Sequence, residues 1–238
     1  MNNSQKLKPC DLLIINLQTA NGFRLIIFDC DGVLVDSERI ANEVFARILN
    51  EECGFSLTLE DMFNTFVGHS SSQCMKIIED MLGHAPPKDL ESRYKSEINA
   101  TLASDVMVAH RIEQALDEIS IPSCVASSGS HEKMHTTLGK TNLLNRFKGK
   151  LFSTSDVKNG KPAADIYLHA AKQMGDISPT NCLVIEDSPV GVQGGVAAGM
   201  TVFGYAELTN KEHLFNAGAH HITNNMGSLA REISAFKR

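Results

Sequence analysis

Asp29 and Asp31 stand one residue apart in the stretch Phe28-Asp29-Cys30-Asp31-Gly32-Val33-Leu34-Val35-Asp36-Ser37, directly after the apolar run Leu25-Ile26-Ile27-Phe28. Two carboxylates that close repel each other unless a proton or a cation separates them. A hard cation with oxygen ligands suits such a pair, and magnesium fits because it accepts one or two carboxylates together with a substrate phosphate. Taken alone, the stretch is equally well explained by a tight turn built on Asp-Gly. A second acidic pair, Glu186-Asp187, follows the apolar run Leu183-Val184-Ile185 and precedes Ser188-Pro189, a cap residue and a first-turn proline for the next helix. Asp187 there gains about 0.3–1 kcal/mol from the helix dipole. That accounts for one acid and does not explain why four converge on one edge.

Two further stretches join them. Val125-Ala126 runs into Ser127-Ser128-Gly129-Ser130, where hydroxyls and backbone N–H groups at a helix start can hold a phosphate oxygen. Serine-rich helix caps are common, so this stretch carries little by itself. Lys161-Pro162 follows the apolar pair Leu151-Phe152, and Lys161 is the one cation that the order of elements is expected to bring to the acidic edge. His220-His221 lacks acidic neighbours in sequence and reads as strand-end packing rather than a metal pair.

The elements that must position these residues alternate between short apolar strands and helices, the pattern of an α/β fold with a parallel, Rossmann-like sheet. Strands are expected at 25–28, 123–126, 183–185 and 201–203, with weaker ones near 151–152 and 221–222. Their continuous apolar runs suit strands buried on both faces. Helical sequence fills the interval from Glu38 to about Ile119, broken at Gly54, Gly68 and 83–87. A single crossover needs only one helix, so the excess implies an inserted helical domain. The expected organisation is an N-terminal extension at 1–22, a core at 23–36 and 108–238, and a helical cap at 37–107. Pro162 and Pro189 are expected in first turns of helices and Gly199 at a helix C-terminus.

The chain has 238 residues, 42% of them hydrophobic, with a formal net charge of -6. Phosphate-backbone binding rests on an excess of Lys and Arg, so no nucleic-acid partner is expected. No apolar run approaches a membrane span. Lys6 and Lys8 precede the short apolar run 12–17, which is broken by Asn16 and lacks a good cleavage region, so no signal peptide is expected. The six cysteines form no Cys-x-x-Cys pair and read as reduced thiols of a cytoplasmic protein.

Taken in order, Asp29-x-Asp31-Gly-Val-Leu-Val-Asp-Ser, the strand ending in Ser127, Lys161-Pro162 and the strand ending in Glu186-Asp187-Ser188 resemble the four motifs of the haloacid dehalogenase superfamily. The resemblance spans residues 24 to about 205. It implies a Rossmann-like core, a mobile helical cap and a magnesium-dependent phosphatase working through an aspartyl phosphate. By resemblance, Asp29 is the nucleophile and Asp31 the acid and base. Ser127, Ser128 and Lys161 hold the phosphoryl oxygens. Magnesium is held by Asp29, the Asp31 carbonyl and Asp187, with Glu186 bound directly or one shell out. An acid at Asp31 points to phosphoryl transfer rather than dehalogenation.

Within the superfamily the chain is similar to sugar-phosphate and 6-phosphogluconate phosphatases and to beta-phosphoglucomutase-like proteins. The expected partner is a small phosphorylated metabolite, with the chain a monomer or weak homo-oligomer. Cap candidates for reading the substrate are Arg39, Asn42, His69, Ser70 and Lys95. The alternatives are a phosphosugar mutase and a catalytically silent binding module. The mutase pattern carries a His soon after the first motif and an Arg in the cap; here the first is absent and Gly68-His69-Ser70-Ser71 has Ser for Arg. A silent module is disfavoured because Asp29, Asp31, Ser127, Lys161 and Asp187 are all present. The family's Pro-Gly turn at the return from the cap is replaced by Val108-Ala109-His110-Arg111-Ile112, which implies a stiffer or displaced hinge.

Overall fold

The computed structural model describes residues 22–67 and 71–237; the expected N-terminal extension, apart from Gly22, and the cap candidates His69 and Ser70 lie outside them. Six strands form one sheet in the order β3-β2-β1-β4-β5-β6, every neighbouring pair parallel. They are β1 (Leu25–Phe28), β2 (Ser123–Ser127), β3 (Leu151–Ser153), β4 (Cys182–Glu186), β5 (Thr201–Tyr205) and β6 (His221–Thr223). The expected α/β fold is the observed one. Side chains of β1 alternate between two apolar layers: Ile26 and Phe28 enter one, Leu25 and Ile27 the other. This is why the strand sequences show no polar alternation.

Between β1 and β2 the chain forms α1 (Ser37–Cys53), α2 (Leu59–Thr65), α3 (Ser71–Leu82), α4 (Leu90–Asp105) and α5 (Ile112–Glu118). Gly54, at φ 69°, ends α1 in the left-handed conformation. Thr58 starts α2 with a capping box shared with Asp61. Aromatic packing joins helices of this layer: the Phe45 ring lies 4.7 Å from Tyr94 and 5.6 Å from Phe66. Arg93 of α4 adds ion pairs to Glu51 and Glu52 of α1.

Helix does not run through to Ile119 as the sequence suggested. Residues 106–111 leave α4 and pair with the outgoing chain: Asp36 N–H donates to Met107 O and Ala109 N–H to Leu34 O, both at 3.0 Å. Val35 and Val108 form an antiparallel bridge, so the chain leaves and returns through two adjacent extended segments. The β-branched residues at both positions favour this pairing.

The remaining helices are α6 (His131–Lys140), α7 (Asp165–Gln173), α8 (Pro189–Ala197), α9 (Lys211–Asn216) and α10 (Leu229–Ala235). Pro189 occupies a first-turn position of α8, and Gly199, at φ 72°, lies just past its end. Pro162 does not open a helix; it sits in a turn three residues before α7, where Ala163 N–H donates to Gly160 O. Among the described residues, no helix is long and apolar enough to cross a membrane.

Candidate active site

Parallel pairing puts Phe28 opposite Ile185 and Val125. Asp29, Ser127 and Glu186 therefore emerge together at the carboxyl edge of the three central strands, the place where open parallel sheets bind ligands. Asp29 N–H donates to Ile185 O at 3.0 Å, which continues the ladder by one residue and fixes the direction of the carboxylate. Above this edge opens a cleft of about 730 Å³, lined by Asp29, Asp31, Ser127, Lys161, Asp187 and, from the helical layer, Phe63 and Val67 among others.

Carboxylate oxygens of Asp29, Glu186 and Asp187 lie within 4.8 Å of one another. One ammonium serves this cluster. Lys161 Nζ is 2.5 Å from Asp29 Oδ1 and 2.5 Å from Glu186 Oε1, and its side chain is only 4% exposed. Burial, helped by Glu186 and Asp31, pushes the Asp29 carboxyl up to about 7 against the pull of Lys161. Burial and the charges of Glu186 and Asp29 raise Asp187 well above the usual carboxylate range. Burial works against the charge on Lys161, but Asp29 and Glu186 outweigh it and lift its pKa. The cluster has more negative charge than its one lysine balances, and its ligands are all hard oxygens. Both properties suit a divalent cation such as magnesium.

The two acids after β4 differ in their surroundings. Glu186 is fully buried. Its Oε1 accepts from Lys161 Nζ and from Tyr167 Oη at 2.8 Å, and its Oε2 from Ser188 N–H at 3.1 Å and Ser188 Oγ at 3.0 Å. Gly191 makes this possible, since a Cβ there would lie 1.9 Å from Glu186 Oε1. Asp187 faces the first loop. There Gly32, at φ 74°, approaches so closely that a Cβ would stand 1.9 Å from Asp187 Oδ2. Only glycine meets both demands, a left-handed backbone and the lack of a side chain.

The Asp31 carboxylate stands apart from the metal-type cluster. Its Oδ1 accepts from Ser37 Oγ at 2.6 Å and pairs with Lys133 Nζ at 2.8 Å. Lys161 is therefore not the only cation at the acidic edge. Lys133 is inconspicuous in sequence because it is one lysine on an ordinary amphipathic helix. Its signal is positional: Ser130 caps α6, so Lys133 lies in the first turn, where the helix dipole disfavours a cation. Burial opposes the charge of Lys133, yet Asp31 and Glu38 outweigh it and raise its pKa. Glu38, in the first turn of α1, also lines the cleft. Burial and the nearby Asp31 push its carboxyl up.

Ser127 is fully buried at the end of β2, its Oγ accepting Gly129 N–H at 2.9 Å. Ser128 is exposed and its carbonyl accepts Thr154 Oγ1 at 3.1 Å. Both line the cleft. The described cap candidates are more scattered. Arg39 turns to Asp36 at 2.9 Å and lines neither the cleft nor the cavity behind it. Asn42 Nδ2 donates to its own helix at Glu38 O, and Lys95 pairs with Glu91 at 2.7 Å; both border the cavity behind the cleft. His221 is held by Glu232 at 2.9 Å, and His220 Nδ1 accepts Val202 N–H, as strand-end packing requires.

The family model described as haloacid dehalogenase-like hydrolase matches residues 26–205. Among curated proteins, the chain is 35% identical over 179 residues to a 6-phosphogluconate phosphatase of Escherichia coli (strain K12), covering 75% of this chain and 80% of that one. It is 30% identical over 219 residues to a probable pseudouridine-5'-phosphatase of Drosophila melanogaster, covering 86% and 89%. Among solved structures, a conserved haloacid dehalogenase-like protein of unknown function from Agrobacterium tumefaciens str. C58 superposes with a TM-score of 0.85 at 34% identity, covering 90% of this chain and 99% of that one. The same parallel sheet and the matched motif span leave one assignment: the chain belongs to the haloacid dehalogenase-like hydrolase family, as a phosphoric monoester hydrolase.

Proposed function

We propose that the protein is a magnesium-dependent phosphatase of a small phosphorylated metabolite, a sugar phosphate or phosphogluconate, and that it works through an aspartyl phosphate on Asp29. The observation that carries this reading is the buried cluster of Asp29, Glu186 and Asp187 around the single ammonium of Lys161, at the floor of the cleft. Asp29, Asp187 and the backbone carbonyl of Asp31 would hold magnesium, and Glu186, whose oxygens are already occupied, would support them from behind. When bound, the cation neutralises part of the charge that builds on the transferring phosphoryl group.

Asp29 attacks phosphorus in line, the ester P–O bond breaks, and the leaving oxygen takes its proton from Asp31. Asp31 then removes a proton from water, whose oxygen attacks the aspartyl phosphate and frees inorganic phosphate with Asp29 restored. Ser37 and Lys133 keep Asp31 aimed at the cleft throughout. Lys161 and the Ser127 hydroxyl meet the equatorial oxygens. The helices α1–α4 act as the cap that excludes bulk water. The free thiols of Cys30, Cys53 and Cys124 suit the reducing cytoplasm.

The test is release of inorganic phosphate from a panel of sugar phosphates, 6-phosphogluconate and nucleotides, with magnesium and in excess chelator. Activity is expected only with the metal, and Asp29→Asn is expected to abolish it. Full turnover in chelator, or in the folded Asn variant, defeats the mechanism. An isomerised phosphate ester in place of free phosphate indicates a mutase instead.

A further inference from the structure

The end of β3 lies beside the end of β2, with Ser153 opposite Ser127 in register. The turn after β3, residues 153–156, therefore borders the loop after β2, residues 127–131, and grips it at three points. Ser153 Oγ donates to Gly129 O at 2.8 Å, Thr154 Oγ1 donates to Ser128 O at 3.1 Å, and Asp156 lies 2.9 Å from His131 Nε2. The turn is itself braced: Asp156 Oδ2 accepts Ser153 N–H at 2.8 Å, and Ser155 N–H donates to Ser153 Oγ at 3.1 Å. Ser153 is buried, so its hydroxyl is committed to these bonds rather than to water. The Ser128 carbonyl and the Gly129 N–H belong to one planar peptide unit. Thr154 holds the oxygen of that unit, and its N–H donates to Ser127 Oγ at 2.9 Å. Ser153 holds the carbonyl of the next unit. Ser127 is fully buried, its oxygen is engaged by this N–H, and its hydroxyl hydrogen reaches no acceptor among the described residues. Native interiors rarely leave a buried hydroxyl in this condition.

We infer that Ser153 and Thr154 are positioning residues for phosphoryl binding, acting through the Ser128 and Gly129 peptides on the Ser127 hydroxyl. The inference rests on the phosphatase reading, in which that hydroxyl meets a phosphoryl oxygen. The Gly129 N–H occupies a lone pair of Ser127 Oγ and so leaves its one hydrogen to be donated to the ligand. Without Thr154 the peptide is free to turn, the N–H leaves Ser127, and the hydroxyl loses the contact that sets its direction. Ser153 acts one peptide further on and keeps the loop from drawing back from the cleft. Neither residue lines the cleft, so neither touches the ester. Donors held in place before the ligand arrives need no reorganisation when charge builds on the phosphoryl group. The loop meets only what all phosphate esters share, so its loosening weakens every ester alike.

The test measures the Kd of inorganic phosphate by calorimetry in magnesium, and kcat/KM for a sugar phosphate and for p-nitrophenyl phosphate. The proteins compared are the parent, Ser153→Ala, Thr154→Val and Thr154→Ser. A dissociation constant does not depend on how much of the protein is folded, so a purely structural role leaves it unmoved. In Ser153→Ala and Thr154→Val the Kd is expected to rise about three- to tenfold, the worth of one hydrogen bond, and kcat/KM to fall by a similar factor for both esters. Thr154→Ser, which keeps the hydroxyl, is expected to restore the parent's Kd. An unchanged Kd in Ser153→Ala or Thr154→Val overturns the role of that residue, whatever happens to its urea midpoint. A Thr154→Ser variant as weak as Thr154→Val shows that the methyl group matters and the hydroxyl does not, which overturns the relay through the peptide. A loss confined to one ester places the effect on the leaving group and overturns the inference while the phosphatase reading stands. If the parent neither binds phosphate nor releases it from either ester, the phosphatase reading falls and the inference with it.

Discussion

Replacing Asp29 by Asn is expected to remove activity and, in the metal-free protein above neutral pH, to make the fold more stable. Asp29 is 6% exposed and shares one ammonium with Glu186 in a cluster completed by Asp187. Its carboxyl stands at about 7 in the folded chain against an ordinary 3.8. A folded value raised in this way means that stability is fully present below about 4 and is lost as pH rises through about 7. At roughly 1.4 kcal/mol per pH unit, ionised Asp29 costs the fold about 4 kcal/mol at pH 8. Lys161 keeps Glu186 as a partner in the variant, but it loses the Asp29 anion. The net gain is therefore expected at about 2–4 kcal/mol. The assay is urea denaturation of both proteins in excess chelator at pH 8 and pH 5. At pH 5 the folded carboxyl is neutral while the unfolded one is ionised, so about 1–2 kcal/mol of the cost remains and the gap between the two midpoints should shrink to less than half its size at pH 8. A variant no more stable than the parent at pH 8, or a gain of equal size at both pH values, refutes the reasoning.

Two further substitutions probe the supports of the site. Gly32→Ala adds a Cβ 1.9 Å from Asp187 Oδ2 at a φ of 74°. The strained backbone alone costs about 1–2 kcal/mol, and the displaced carboxylate should raise the magnesium concentration for half-maximal activity by tenfold or more; an unchanged metal titration curve would count against Asp187 as a ligand. Lys133→Met removes the cation 2.8 Å from Asp31, and kcat should fall by about ten- to a hundredfold, part of the 10²–10⁴ that a general acid supplies. A change confined to KM would mean that Lys133 serves binding and not the aim of Asp31.

The sheet is legible in the sequence because its strands are buried on both faces. Leu25–Phe28 and Cys182–Glu186 are fully covered along their lengths, so their sequences are near-continuous apolar runs, each running directly into acids. Only the parallel order, with β1 between β2 and β4, makes those ends neighbours. The strands near 151 and 221 carry the same signal more weakly and are short because they lie at the sheet edges. The break at 106–111 is not legible as a pairing. Val106 and Val108 suit a strand, but their partner segment, 34–36, lies some seventy residues earlier, and propensity is silent about long-range pairing.

The helical layer is harder to read, and its local geometry explains why. Arg39 and Lys95 have the type of a reaching cation, yet each has an acid three or four residues away on its own helix face, Asp36 and Glu91. Such spacings bring side chains together before any ligand arrives. Asn42 is likewise taken by the carbonyl one turn back. Glu38 is concealed by the opposite circumstance. An acid in the first turn of a helix satisfies the dipole and is fully explained by it, while nothing in sequence shows that it lines the cleft. The same contrast runs through the floor of the cleft. Glu186 and Asp187 are adjacent in sequence, but Tyr167 and Ser188 occupy Glu186, whereas Asp187 lies open against the backbone of Gly32. Which groups could do chemistry follows from residue type and strand position. Which of them remain available depends on the neighbours that have already engaged them, and those neighbours come from α6, α7 and the helical layer, far apart along the chain.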